Sequence, residues 1–117
     1  MKMQQVPQPE APKWALSILN NLYEIDKKLQ LHGDVANASR NVAKMKDTLE
    51  ELGLFYEDPM GQPFKETRTD LEATISGSGT DDLVVVEVIK PIVRYGKRDF
   101  SRITQKGIVI VESKQTQ

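Results

Sequence analysis

The sequence predicts an α+β fold, with an N-terminal antiparallel helical pair followed by a small all-β domain. From about residue 13 to residue 52, apolar residues recur at steps of three and four, the spacing of amphipathic helices. After Gly53 the apolar period falls to two, and runs such as VVVEVI follow, a pattern typical of strands. We therefore expect a disordered lead at 1–11, a helical dimerisation region at 12–53, the β domain at 54–112 and a tail at 113–117.

The first helix is expected from Lys13 to about Leu31. Pro12 fits its first turn, where the missing N–H costs nothing. Gly33 suits the left-handed position after a helix end, and Asp34 is a good N-cap. The segment HGD therefore ends one helix and starts another.

The second helix is expected at about 35–52, with its apolar residues at the a and d positions of a heptad. Two helices joined by a short turn pack antiparallel. A pair alone leaves apolar surface exposed, so we expect two copies of the chain to form a four-helix bundle. The residues expected in this dimer seam are Ile18, Leu22, Ile25, Leu29, Val42, Met45, Leu49 and Leu52.

About four strands are expected after the helices, at 54–57, 71–76, 83–95 and 107–111. Proline cannot donate to a central ladder, so the long third segment is expected to bend at Pro91 or to divide there into two strands. The turn-rich stretch DPMGQPF and the loop GSGTDD separate the first three segments.

Several classes of site have no candidate residues in this sequence. The chain has no cysteine and one histidine, and His32 is interpreted as a capping residue at a helix end. We expect no catalytic residue, no metal, no cofactor and no enzymatic activity. No apolar stretch approaches the roughly 18 residues of a membrane span and no signal h-region is visible, so a cytoplasmic protein without membrane contact is expected.

The net charge is −1, but it is unevenly distributed. Residues 57–82 hold seven acidic and two basic residues, whereas residues 83–117 hold three acidic and seven basic ones. A basic cluster interleaved with aromatic residues consists of Arg94, Tyr95, Lys97, Arg98, Phe100 and Arg102. Such a cluster fits a docking loop for an acidic protein surface. It also fits single-stranded nucleic acid, the less favoured partner because the charges and rings are few.

Four segments within 14–112 resemble one family. LSILNNLYEIDKKL is similar to its helix LLPVLDNLERAL, and MKDTLEELGLFYED to its LLDVLEKEGVEPI. PFKETRTDLEA is similar to FDPNLHEA, and VVVEVIKPIVRYGKR to VVEVLQKGYKLGDR. In these segments and their order the chain resembles the GrpE family, the nucleotide exchange factors of DnaK-type chaperones. It departs from the family where Leu71 replaces the usual histidine and where Pro91 and Ile92 replace a Gly-Tyr pair.

The resemblance implies a co-chaperone that works without chemistry. A homodimer would dock one β domain on the ATPase domain of a DnaK-type chaperone, favour an opened cleft and so release ADP. The implied partner-binding residues are Phe64, Glu72, Ile92, Arg94, Gly96, Lys97 and Arg98. The alternative is a homodimeric adaptor of the same fold without exchange activity.

Overall fold

A computed structural model describes residues 11–114 as two helices followed by six strands. The elements are α1 (Lys13–His32), α2 (Ser39–Glu51), β1 (Leu54–Glu57), β2 (Leu71–Ile75), β3 (Leu83–Lys90), β4 (Ile92–Lys97), β5 (Phe100–Gln105) and β6 (Gly107–Ser113). The predicted α+β class, with helices before strands, is confirmed.

The ends of the described chain are more ordered than the predicted lead and tail suggest. Residues 1–10 and 115–117 lie outside the described residues. Ala11, assigned to the lead, is buried and donates its N–H to Thr104 Oγ1 at 3.1 Å. Ser113, assigned to the tail, belongs to β6 and donates its hydroxyl to the Asp81 carbonyl at 2.5 Å.

The turn between the helices is longer than the sequence predicts. The Asp34 carboxylate accepts the N–H groups of Ala38 and Ser39, at 2.6 and 3.1 Å. Asn37 within this turn has a φ of 60°. Because these hydrogen bonds hold the chain out of the helical path, α2 begins at Ser39, and Val35 is fully exposed rather than on the helix.

The helices and the first strands share one hydrophobic core. Its buried members are Ala11, Ala15, Leu19, Leu22 and Tyr23 at α1, Val42 and Leu49 of α2, Leu54 and Tyr56 of β1, and Val93 of β4. Burying each large side chain stabilises the fold by about 1.5–3 kcal/mol. The predicted boundary near residue 53 therefore marks the change from helices to strands, but the elements on its two sides share this core.

The strands form two three-stranded sheets, in the orders β1-β4-β5 and β2-β6-β3. All pairs are antiparallel except β2 with β6. The predicted break at Pro91 is confirmed, because β3 ends at Lys90 in one sheet and β4 begins at Ile92 in the other. The expected number of about four strands was too low, since β5 was not predicted.

The second sheet has its own core and a covered edge. Its buried cluster is Leu71, Val85, Ile92, Val109 and Val111. The loop before β2 pairs with the outer side of β3, with Gly61 N–H donating to the Val85 carbonyl at 3.0 Å and Val85 N–H to the Gln62 carbonyl at 2.9 Å. A covered edge is closed to pairing with other chains.

Candidate partner-binding surface

Five of the predicted contact residues lie on the hairpin of β4 and β5, and four of the five follow the buried Ile92 toward the turn. These four are Arg94, Gly96, Lys97 and Arg98. Lys97 pairs with Phe100 across the two-residue turn of Arg98 and Asp99. We call the exposed residues Lys97, Arg98, Asp99, Phe100 and Arg102 the hairpin tip. The structure thus brings the basic residues together at one end of the first sheet.

Gly96 allows the two strands of the hairpin to approach closely. Its φ is 132°, a conformation that residues with a side chain rarely adopt. A Cβ at this position would lie 2.6 Å from the Phe100 carbonyl oxygen and 2.9 Å from the Ser101 Cα. Gly96 therefore acts through the path of the backbone, which sets the position of Phe100.

Arg98 anchors the hairpin tip to the end of α2. Its Nε and Nη2 both donate to Glu50 Oε1, at 3.0 and 2.6 Å. Its guanidinium also lies 4.5 Å from the centre of the Phe55 ring, within the range of a cation–π contact. These hydrogen bonds lower the pKa of Glu50 and raise that of Arg98. A backbone hydrogen bond from Gly96 N–H to the Gly53 carbonyl, at 2.7 Å, joins β4 to the turn that follows α2.

Arg94 is also held within the chain. Its Nε donates to Glu57 Oε1 of the neighbouring strand β1, and the side chain is only partly exposed. Two of the four basic residues between 94 and 102 are therefore already paired with carboxylates. Lys97 and Arg102 form no ion pair within residues 11–114.

Phe100 is the residue that the sequence reasoning underrated. It belongs to the basic and aromatic cluster but not to the contact residues that the resemblance implies, yet its side chain is 87% exposed at the hairpin tip. A recess of about 300 Å³ lies beside it, lined by Tyr95, Gly96, Ser101 and Arg102 as well. Phe100 follows directly after the polar turn of Arg98 and Asp99, and this position in the sequence could have indicated an exposed aromatic contact residue.

Three predicted contact residues lie away from the hairpin tip. Ile92 is 2% exposed because it packs in the second core, so the side chain of this implied partner-binding residue is covered within the chain. Phe64 is half-buried against that core and lines a cleft with Ile75 and Leu83. Glu72 is exposed on β2, in the other sheet. Neither Phe64 nor Glu72 belongs to the sheet that carries the tip.

The predicted seam residues divide into two groups. Leu22, Val42 and Leu49 are buried in the core of the chain itself, and Leu29 is half-buried against it. The exposed members are Ile18, Ile25, Met45 and Leu52. Ile18 and Met45 line a groove of about 300 Å³ between the helices, together with Lys44, Thr48 and Leu49. Only the exposed group is available to a second chain.

The described part of the chain shows no metal cluster. Within residues 11–114 no three His, Asp or Glu side chains are grouped so as to hold an ion, and no helix there has the length and apolarity to cross a bilayer.

Comparison of the chain with protein-family models, curated proteins and solved structures found no match. The function is therefore inferred from the residues and their geometry.

Proposed function

We propose that this chain is a GrpE-like co-chaperone, a non-enzymatic homodimer that binds the nucleotide-binding domain of a DnaK-type chaperone and promotes ADP release. The observation that carries the proposal is an exposed basic and aromatic hairpin tip fixed to the end of a helical pair. The order of helices and strands, and the similar segments that hold them, also support it. A cytoplasmic location, shared with the chaperone, is part of the proposal.

The anchoring of the tip suits a protein that acts by docking. Arg98, in the turn of the hairpin, binds Glu50 of α2, and the Gly96–Gly53 hydrogen bond joins β4 to the turn that follows α2. A rigid contact surface loses little conformational entropy on binding. Its binding energy can therefore favour one conformation of the partner, which is the thermodynamic requirement for releasing a nucleotide.

The dimer is proposed from the outer face of the helices. Ile18, Ile25, Met45 and Leu52 are exposed there, and leaving them in water forgoes the stabilisation that burial provides. A second copy brings the same residues to a two-fold contact, so each apolar group finds an apolar partner. A four-helix bundle is the arrangement that covers both faces at once.

Release of a fluorescent ADP analogue from the source organism's DnaK-type chaperone tests the proposal. The wild-type chain is expected to accelerate release. Lys97→Glu is expected to reduce the acceleration, because it reverses a charge at the hairpin tip. The matched control is Lys65→Glu, the same change at an exposed position in the loop before β2, which should leave the rate unchanged. An unchanged release rate with folded wild-type protein would contradict exchange activity.

The second candidate is a homodimeric adaptor without exchange activity. One observation favours it. Leu71, at the position where the GrpE family has histidine, is buried in the second core, so no polar contact can come from that side chain. The adaptor would bind a partner protein through the same tip and leave the rate of ADP release unchanged.

A further inference from the structure

We infer that Phe100 is the anchor of the partner contact, and that the surface it fits is an apolar pocket rimmed by carboxylates. The inference rests on the proposed function and names the chemistry of the chaperone surface that the hairpin tip meets. It assigns the central role to a residue outside the predicted contact set, and leaves Arg98 the structural role of holding the tip.

Phe100 combines an exposed side chain with a backbone held by strand pairing, as expected of a residue that anchors a protein contact. Its side chain is 87% exposed, and aromatic residues are prominent among those that dominate binding energy at interfaces. Its backbone is held by the pairing of Lys97 with Phe100 and of Gly96 with Ser101. Because the backbone is already held, only the side-chain torsions of the ring remain to be ordered when it enters a pocket.

The charges around Phe100 define the rim of that pocket. Residues paired directly across two strands share a face of the sheet, as do residues two apart in one strand. Lys97 is paired with Phe100, and Arg102 is two residues further along β5. Both cations are exposed on the face of the ring, and neither forms an ion pair among the residues that the structure describes. Carboxylates around an apolar pocket would complement them.

The ion pairs of the hairpin disfavour nucleic acid as the partner. Glu57 pairs with Arg94 and Glu50 with Arg98, so two of the four basic residues between 94 and 102 remain without an ion pair. Asp99 also adds an acidic group to the tip. Strong binding of nucleic acid by charge rests on a larger set of phosphate contacts, about 6–10 where the salt dependence is steep. Two cations and one ring are too few for that mode, whereas they suffice for the centre of a protein contact.

The test is titration of the isolated nucleotide-binding domain of the source organism's DnaK-type chaperone with wild type and variants. Phe100→Ala is expected to raise the Kd about 30-fold, the effect of a residue at the centre of an interface. The matched control, Leu31→Ala, truncates another strongly exposed apolar side chain, at the end of α1, and should leave the Kd unchanged. The double variant Lys97→Ala, Arg102→Ala should slow association and weaken its dependence on salt.

The outcomes separate the inference from the proposed function. Binding by wild type and equally by Phe100→Ala would overturn the inference alone. No binding by folded wild type would overturn the proposed function and the inference with it. Tight, strongly salt-dependent binding of an oligothymidylate, lost in Phe100→Ala, would also overturn the inference by assigning the tip to nucleic acid.

Discussion

Gly96 is the single residue on which the shape of the hairpin tip depends. Gly96→Ala is expected to destabilise the fold by about 2–3 kcal/mol, because the added methyl would press on the Phe100 carbonyl in an already strained conformation. Gly77→Ala is the matched control. Its φ is also positive, at 83°, but a Cβ there meets nothing within 4 Å, so a loss of about 1 kcal/mol is expected. Equal losses in urea unfolding would contradict the close approach.

Asp70 should make stability depend on pH. Arg68 donates from Nε and Nη2 to its two carboxylate oxygens, at 2.9 and 2.7 Å, and so lowers the pKa of Asp70 below its usual 3.8. The ionised carboxylate therefore stabilises the folded state at pH values above the usual pKa of 3.8. This stabilisation is lost as the pH falls through the lower pKa that Asp70 has in the folded state. Asp70→Asn should cost about 1 kcal/mol at pH 7.

The pH profile separates this ion pair from general packing. The difference between Asp70→Asn and wild type should vanish as the pH of the unfolding experiment falls well below 3.8. Asp47→Asn, at an exposed position of α2, should change stability little at pH 7. A difference between Asp70→Asn and wild type that persists at low pH would show that the carboxylate charge is not the cause.

For single residues, the sequence predicted the cluster of basic side chains better than it predicted which apolar side chains are buried. The basic cluster was visible because its members are adjacent in the chain. Ile92 belongs to the expected contact set but is buried, whereas Phe100 lies outside that set and is exposed. Each is an apolar residue in a strand, and only the packing of the two sheets decides which one is covered. Ile92 meets the second core, whereas Phe100 begins an outer strand of the first sheet.

Tyr23 links the helix α1 to the loop that follows β1. Its hydroxyl donates to Asp58 Oδ1 at 3.1 Å, and Lys27 binds the other oxygen at 2.5 Å. Tyr23→Phe should therefore cost about 1 kcal/mol in the free energy of unfolding. The neighbouring Tyr56 provides the control. The rings meet edge to face at 5.6 Å.

The Tyr56 hydroxyl differs from that of Tyr23 in its partners. It is buried without a hydrogen bond to any residue that the structure describes, and burial, with some help from nearby Asp26, raises its pKa to about 12. Removing an unsatisfied buried group is neutral or favourable. Tyr56→Phe should leave stability unchanged or raise it, and a loss equal to that of Tyr23→Phe would contradict this account of α1 docking.

Among the elements, those with a strong local signal were predicted and those made by distant pairing were not. The helices followed from apolar spacing, and the division at Pro91 followed from the missing N–H. β5 has only Phe100 and Ile103 as apolar residues, too few for a period of two, and it becomes a strand through its pairing with β4. The parallel pairing of β2 with β6 joins segments more than 30 residues apart, which no local pattern encodes.

The exposed apolar residues of the helical pair predict that two copies of the chain associate through this face. Met45→Asp should convert a dimer to a monomer in sedimentation at micromolar concentration, because the charge would be buried without a partner in the bundle. The side chain is exposed in the single chain, so the monomer should keep its fold. Ala43→Asp adds the same single charge at an exposed position of α2 outside that groove and measures the effect of charge alone. A Met45→Asp variant that remains dimeric would place the contact elsewhere.

For the whole molecule, exchange activity requires a thermodynamic coupling between binding of this chain and binding of ADP to the chaperone. If the chain binds the nucleotide-free, open chaperone more tightly, it must weaken ADP binding, and ADP must weaken its own binding by the same factor. Neither the anchored tip nor the proposed dimer alone would establish this coupling, because an adaptor would have both. The coupling therefore distinguishes an exchange factor from a protein that only docks.

The most direct measurement is the affinity of the chain for the chaperone's nucleotide-binding domain with and without saturating ADP. If the chain is an exchange factor, ADP should raise the Kd by a factor of about 5 to 150, the usual range of coupling between two sites. The same factor should appear in the affinity of ADP when the chain is present in excess. Equal affinities with and without ADP would contradict exchange activity and leave the adaptor as the function of this fold.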